Sequence, residues 1–182
     1  MSTDTTLSAA PASGLATGVW HLDPTRSSVE FHVPHFYGLM TVKGRFDRYE
    51  GTLNLTGHPA VELVIEADSL DTKKEPRDKH LRDADFFDVS NHPQVRFEGD
   101  DATSNGDTLQ LRGQLYAAGK NIPLDVNATL APVGDEFEIE ASAIADHREL
   151  GMTWSPMGVM RTPSKLIVRG RLVRADRKEP TT

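Results

Sequence analysis

Seven histidines are the residues of this sequence with the most versatile chemistry, because a neutral imidazole can bind a metal or exchange a proton near neutral pH. They stand at positions 21, 32, 35, 58, 80, 92 and 147. His32 with His35, and Asp78 with His80, lie close together in the chain. Neither pair has the spacing of a metal-binding motif. The sequence therefore predicts surface or hydrogen-bonded histidines and no metal site.

The signals of nucleophilic and nucleotide chemistry are absent from the sequence. There is no GxSxG segment to hold a serine nucleophile, and no GxGxxG or Walker loop to hold phosphates. The chain has no cysteine, which excludes a disulfide scaffold, a thiolate metal site, a cysteine nucleophile and a CxxC redox motif. Paired carboxylates are frequent only because acidic residues are frequent. We therefore predict a protein that is not an enzyme.

Length and charge restrict the partners that we expect. The chain has 182 residues, of which 37% are hydrophobic and 26% charged, as in one ordinary soluble domain. Its 20 Lys and Arg against 27 Asp and Glu give a net charge of -7. Nucleic acids and anionic membrane surfaces attract an excess of basic residues, and no basic block occurs. Neutral or apolar partners are expected, without stable membrane insertion, and a homodimer is left open.

The two ends of the chain differ in composition from its centre. Residues 1–18 are mostly small or hydroxyl-bearing and contain neither a basic residue nor an apolar run, so they are predicted to be disordered. Residues 175–182 are predicted to be a polar tail, which leaves one domain over residues 19–174. No segment has the pattern of an export signal or a transmembrane span, and the predicted location is therefore cytoplasmic.

Alternation of apolar and polar residues with a period of two dominates the domain and predicts strands with one buried face. The apolar positions fall into strand-length runs around residues 29–33, 42–46, 53–55, 61–65, 95–97, 109–115, 122–130, 137–143 and 166–168. Clusters of Gly, Asn and Asp at residues 57–59, 104–107, 118–121 and 134–135 predict hairpin turns. We predict an all-β fold, an eight-stranded antiparallel barrel that side chains fill or that holds one small ligand.

Residues 69–93 interrupt this pattern with a dense run of charges. Asp71 or Thr72 is a suitable helix cap, and Pro76 suits a first helical turn. Leu81, Ala84 and Phe87 then form a narrow apolar stripe. We predict one short helix over roughly residues 77–84 that lies across a mouth of the barrel.

Apolar residues in the predicted barrel and in the loops at its ends are more numerous than a tight core requires. A loop rich in methionine is an adaptable apolar lining, so we predict a ligand entrance there, against the alternative that these residues only cap the core. The predicted ligand-binding residues are Phe31, Val33, Phe36, Leu39, Met40, Phe46, Phe86, Phe87, Phe97, Trp154, Met157 and Met160.

A polar head group could be held at the mouth by the charged residues beside the predicted helix. His35, Arg77 and His80 are the candidates, because a guanidinium binds phosphate or carbonyl oxygens in a planar fork. The alternative is structural, with Asp78 paired to Arg82 at the i, i+4 spacing and His80 in contact with backbone.

Several ordered segments together resemble the YceI family of lipocalin-like, polyisoprenoid-binding proteins. The most specific is RDKHLRDADFFDV at residues 77–89, followed by HPQVRFEG at 92–99. The others are WHLDPTRSSVEFHVPHF at 20–36, GRFDRYEGTLNL at 44–55, SLDT at 69–72 and GQLYAAGKNIPLDV at 113–126. The resemblance implies an eight-stranded barrel whose hydrophobic interior holds a long isoprenoid, such as a polyprenyl chain or a quinone tail, and no catalysis.

Two features depart from the pattern of that family. The family often has Arg-x-Asp-Phe-Gly where this chain has His147-Arg148-Glu149-Leu150-Gly151, and many relatives begin with a signal peptide. The sequence thus predicts a non-enzymatic protein that binds, sequesters or transports an isoprenoid lipid and that needs no cofactor. The alternatives are an interaction or stress-response module with a self-plugged barrel and an isoprenoid-modifying enzyme. Chain length and head group of the lipid are not specified.

Overall fold

The fold is built almost wholly of antiparallel strands. The computed structural model describes residues 16–35, 39–152 and 163–176, with the side chain of His35 outside that description. The strands are β1 (Val19–Leu22), β2 (Ser28–His35), β3 (Met40–Phe46), β4 (Tyr49–Asn54), β5 (Ala60–Glu66), β6 (Leu70–Asp71), β7 (Gln94–Asn105), β8 (Thr108–Ala117), β9 (Lys120–Val133), β10 (Glu136–Ala145) and β11 (Ser164–Arg174). A 3-10 turn (Ala67–Ser69) and the helix α1 (Glu75–Arg82) lie between β5 and β7.

Eight strand positions close into a barrel, as the sequence predicts. The order is β1, β4, β5, β7, β8, β9, β10 and β11, and β11 pairs with β1 to complete the ring. The strands β2 and β3 continue β1 and β4 toward one end of the barrel, where β2 pairs with both β11 and β3. Two of the predicted apolar runs, at residues 42–46 and 53–55, therefore belong to one interrupted strand position.

The interruption between β1 and β2 is held by polar contacts that the alternation pattern does not reveal. Asp23 accepts hydrogen bonds from Thr25 and Arg26, which lower its pKa to about 2. Ser27 packs so closely on β11 that a Cβ at Gly170 would lie 1.9 Å from its hydroxyl oxygen. Glycine is therefore required at that position of β11.

The two ends of the barrel differ in how they are covered. One end, here the turn end, carries among the described residues the short connections at residues 55–59, 106–107 and 134–135 and the short stretches at 16–18 and 175–176. Its glycines at 57, 106 and 134 have positive φ, as the predicted hairpin turns require. The other end, here the helix end, carries the β2–β3 connection, the turn at residues 118–119, residues 146–152 and the cap segment, defined as residues 67–93.

The helix in the cap segment begins and ends two residues earlier than predicted. It spans Glu75–Arg82, and Pro76 lies in its first turn as expected. Its N-cap is Lys74, without a side-chain hydrogen bond, so the predicted capping by Asp71 or Thr72 is wrong. Among the described residues no helix is long and apolar enough to span a membrane.

Candidate functional site

An internal cavity of about 190 Å³ occupies the barrel between the cap segment and the turn end. Its surface is almost entirely carbon. Six of the residues that the sequence predicts for ligand binding line it, namely Phe31, Val33, Phe46, Phe86, Phe87 and Phe97. Six polar residues also border it. Glu30, Thr52, Glu62 and Ser142 lie on the outer face of their strands, as alternation along a strand requires, and His147 and Ser164 lie at the helix end.

The cavity exists because one wall of the barrel is built from small side chains. The last three inward positions of β10 are Ala141, Ala143 and Ala145, and Ala128 of β9 lies directly across from Ala141. Protein interiors are normally packed to the density of organic crystals. A row of alanines therefore leaves empty space unless larger side chains on other strands fill it. The side chains that face this wall do not fill it.

Three phenylalanine rings form the aromatic wall of the cavity beneath the cap segment. The ring centroid of Phe31 lies 5.3 Å from that of Phe46 and 6.4 Å from that of Phe87, and Phe46 lies 5.8 Å from Phe87. Gly44 is the cross-strand neighbour of Phe31, and a Cβ there would lie 2.2 Å from the Phe31 ring. The absence of a side chain at Gly44 therefore permits this ring to lie flat on β3.

The turn end of the barrel is filled by its own side chains. Trp20 is 2% exposed and packs edge-on against Phe137, with ring centroids 4.7 Å apart. Leu130, which is 1% exposed, is also buried. None of these three residues, here the turn-end plug, borders the cavity. Any ligand in the cavity therefore enters from the helix end or through a rearranged wall.

The cap segment is fastened at the start of α1 by Thr72. The carboxylate of Asp78, buried at 7% exposure, accepts hydrogen bonds from the backbone N–H of Thr72 (2.9 Å) and from its hydroxyl. Arg77 donates from Nε to the same hydroxyl oxygen and from a terminal nitrogen to the carbonyl oxygen of Thr72, each at 2.7 Å. This arrangement, here the Thr72 junction, uses two of the three guanidinium nitrogens of Arg77.

A second arginine fastens the other end of α1. Arg82 donates to the carbonyl oxygens of Asp68 (3.0 Å) and Leu70 (2.8 Å). The predicted pair between Asp78 and Arg82 is therefore wrong, because each side chain binds the strand-like segment before the helix. Together the two arginines hold Leu81, Phe86 and Phe87 over the cavity.

The predicted head-group residues of the cap segment do not border the cavity. Arg77 is engaged at the Thr72 junction, and the ring of His80 packs edge-on against Phe86 with centroids 5.3 Å apart. Leu39 and Met40, predicted to line the cavity, are 87% and 62% exposed at the β2–β3 connection and lie outside it. Strand pairing carries this connection past the end of the barrel, so its side chains face solvent.

Five predicted positions cannot be placed in the structure. Phe36, Trp154, Met157 and Met160 lie outside the described residues, as does the side chain of His35. Their assignment to the ligand site stays a prediction.

Sequence reasoning missed one polar pair that borders the cavity at the helix end. His147 and Ser164 are 8% and 7% exposed, and Nδ1 of His147 lies 3.1 Å from the Ser164 hydroxyl oxygen. The adjoining turn is braced by Asp146, whose pKa falls to about 2 because Arg148 donates side-chain hydrogen bonds to it. The signal was present in the sequence, since the chain departs from the family pattern at residue 147.

The described residues do not bring three histidine or carboxylate side chains together in a way that could hold a metal ion. His32 lies on the outer face of β2, 3.3 Å from Glu30, and His21 lies 3.2 Å from the hydroxyl of Thr52. Both are placed for hydrogen bonding at the surface.

A closed, eight-stranded antiparallel meander around an apolar cavity defines a lipocalin-like barrel. Comparison with known proteins identifies the family within this class. A family model described as "YceI-like domain" matches residues 20–169. The chain belongs to the YceI-like family.

Curated relatives agree with this membership over part of the chain. A UPF0312 protein of Pseudomonas aeruginosa (strain LESB58) and the protein YceI of Escherichia coli O157:H7 are each 34% identical over 112 residues. These matches cover 59% of this chain and 58% of each relative. The chain thus spans well under two thirds of the length of the curated relatives that it matches.

Solved structures show the same fold at low sequence identity. BcnA of Burkholderia cenocepacia has a TM-score of 0.76 at 14% identity, covering 82% of this chain and 98% of that one. A polyisoprenoid-binding domain from Saccharophagus degradans has a TM-score of 0.68 at 13% identity, covering 87% and 99%. At such identities the likeness concerns the fold alone.

Proposed function

We propose that this protein is a non-catalytic carrier that binds an isoprenoid lipid, such as a polyprenyl chain or an isoprenoid quinone, inside the barrel. The observation that carries the proposal is the cavity, whose surface is almost entirely carbon and which ends against the turn-end plug. Membership of the YceI-like family and the fold shared with a polyisoprenoid-binding domain support it.

The energetics of this cavity favour a hydrocarbon chain over a polar ligand. Each buried methylene contributes about 0.8 kcal/mol, so ten carbons, or two isoprene units, supply about 8 kcal/mol before association costs. That corresponds to roughly micromolar affinity. A polar ligand would leave its groups unpaired against carbon, at a cost of about 1–3 kcal/mol each.

The orientation of the lipid follows from the position of the polar side chains. The tail would point toward the turn-end plug, and the head group would lie at the helix end beside His147 and Ser164. We therefore assign the head-group contact to this pair in place of Arg77 and His80. Both groups can hydrogen-bond an alcohol or a quinone carbonyl.

Lipid analysis of the purified protein tests the proposal. Organic extraction followed by mass spectrometry should recover an isoprenoid, and the extracted protein should take up added polyprenol or quinone. His147→Leu should reduce the preference for polyprenol over a plain hydrocarbon of equal length, whereas His21→Leu, on the outer face, should leave it unchanged. A protein that holds no lipid and takes none up would support the alternative of a self-plugged interaction module.

The proposal has two further parts, which are the transport of the lipid by the protein and the location of the protein in the cell. A carrier must exchange its lipid, so transfer of a fluorescent polyprenol between vesicles should rise with protein concentration. The cytoplasmic location expected from the sequence stays a prediction, and fractionation of cells that express the full-length gene measures it. Recovery in the periplasmic fraction would contradict the location and leave the cavity's function intact.

A further inference from the structure

The cavity ends at a well-defined level on the side of the turn end. Each residue of the turn-end plug pairs across the sheet with a residue that does border the cavity, namely Trp20 with Leu53, Leu130 with Ile139 and Phe137 with Leu172. The three plug residues are 2%, 1% and 4% exposed, so they are packed too closely to admit a ligand among them. Leu53, Ile139 and Leu172, here the cavity floor, therefore mark how far a ligand can reach.

The polar end of the cavity stands at a fixed height above this floor. Ser164, the partner of His147, pairs across the sheet with Ala145, which lies six residues after Ile139 on β10. Six residues of a strand that is tilted by about 40° span roughly 15 Å along the barrel axis. Because β10 pairs with β9 on one side and with β11 on the other, this height cannot change unless strand pairing breaks.

That height limits the length of a chain whose head group contacts His147 and Ser164. An extended chain advances about 1.2 Å per bond, as in a polypeptide, where three bonds span about 3.6 Å. An isoprene unit contributes four bonds along the chain and therefore spans roughly 5 Å. A height of roughly 15 Å thus holds about three isoprene units.

The volume of the cavity gives an independent limit. An engineered protein cavity of about 150 Å³ holds one benzene, which has six carbons. At the same ratio, the cavity of about 190 Å³ holds about eight carbons, which is nearly two isoprene units. Length and volume therefore agree on a short chain, and a longer one would require the turn-end plug to move.

We propose that the barrel selects a prenyl alcohol of two or three isoprene units, and that the turn-end plug sets this limit. The inference rests on the proposed function, for which it names the class of ligand. Each unit up to the limit exchanges water for contacts with carbon, and each buried carbon tightens binding about fourfold. The further units of a longer polyprenol stay outside the cavity, because side chains fill the interior behind the floor.

Two facing residues at the floor should control the limit. Leu130, at 1% exposure, lies behind the floor, and Ile139 lies directly across from it and borders the cavity. A smaller side chain at position 130 should extend the cavity toward the turn end. A larger side chain at position 139 should shorten the cavity, so the two changes should move the limit in opposite directions.

Binding of prenyl alcohols that differ only in length tests the limit. The delipidated full chain is dialysed to equilibrium against radiolabelled dimethylallyl alcohol, geraniol, farnesol or geranylgeraniol, which have one, two, three and four isoprene units, each below its solubility. Geraniol should bind at least roughly 100-fold tighter than dimethylallyl alcohol. Geranylgeraniol should bind less than about twofold tighter than farnesol, whereas five further buried carbons would give roughly 1000-fold.

Variants at the floor should shift this profile. Leu130→Ala should tighten geranylgeraniol relative to farnesol by roughly tenfold or more, and Ile139→Phe should weaken farnesol relative to geraniol by a similar factor. Leu55→Ala is the control, since Leu55 is buried beyond Leu53 toward the turn end without bordering the cavity, and it should leave both ratios within about twofold. Where circular dichroism shows that Leu130→Ala does not fold, Phe137→Leu removes the same number of carbons from the plug.

The outcomes separate the length limit from the carrier function. Binding in the wild type that tightens from farnesol to geranylgeraniol as steeply as from dimethylallyl alcohol to geraniol would overturn the limit and leave the carrier function intact. Ratios that stay unchanged in both the plug variant and Ile139→Phe would also overturn it. A wild-type protein that binds none of the four alcohols would contradict the carrier function itself.

Discussion

Replacing Ala141 with leucine tests whether the barrel holds a real cavity. Ala141 lies in the middle of β10, is 7% exposed and borders the cavity opposite Ala128. Leucine adds three carbon groups, each of which contributes about 0.8 kcal/mol when transferred into existing empty space. The lipid-free variant should therefore gain about 2 kcal/mol, which raises its Tm by roughly 4–8 °C in a domain of this size. The same side chain occupies the ligand's space and should weaken lipid uptake.

Whether Ala141→Leu raises or lowers the Tm distinguishes an empty cavity from a filled interior. If side chains already filled the interior, the added carbons would overpack it and cost about 1–3 kcal/mol. Calorimetry on delipidated protein and native mass spectrometry with polyprenol measure the two effects. Thr129→Leu, on the exposed face of the adjacent strand β9, is the control and should change stability by less than about 0.5 kcal/mol. A lowered Tm of Ala141→Leu with unchanged lipid uptake would refute the reasoning.

Three further predictions concern the structure around the cavity. Asp78→Ala removes the acceptor of both Thr72 hydrogen bonds and should cost about 1.5–3 kcal/mol in urea unfolding; a cost below 0.5 kcal/mol (roughly the surface background) would contradict it. The folded pKa of Asp146, about 2, lies below the ordinary value of 3.8 for an aspartate, so its stabilising contribution is present above about pH 4 and is lost as the pH falls toward 2. Unfolding of Asp146→Asn should therefore show a flatter acid limb, and parallel curves would contradict this. Trp20→Ala should cost about 3–5 kcal/mol yet leave lipid uptake at the helix end intact, which thermal melts and uptake at low temperature check together.

Most of the barrel was predictable because one-sided burial leaves a period of two in the sequence. The run from Leu109 to Leu115 shows the pattern on β8, with buried leucines that alternate with exposed polar side chains. The interruption after β1 was not predictable, since it depends on Ser27 contacting Gly170, more than 140 residues away. Contacts between distant residues leave no local signal in a single sequence.

The large apolar side chains of the candidate site could be predicted from the sequence. The empty space beside the small side chains could not. Phe31 and Phe46 could be expected to face the interior from their alternation alone. The alanines of β10 show the same alternation, but an alanine does not reveal whether the residues opposite fill the space beside it. Leu39 of the β2–β3 connection and Met40 at the start of β3 were predicted to line the cavity because hydrophobicity alone does not distinguish a lining from an exposed hairpin end.

The segment that most resembles the family, residues 77–89, illustrates the difference between a recurrent motif and a binding motif. Arg77 and Asp78 both bind Thr72, and Arg82 binds the backbone before the helix, so its charged positions fasten α1 to residues 68–72 of the cap segment. Its apolar positions, among them Phe87, form the cavity wall beneath. A short helix with eight residues cannot persist by itself, because helix nucleation is unfavourable at that length. The charges therefore hold the apolar residues in place, and the motif shapes the cavity.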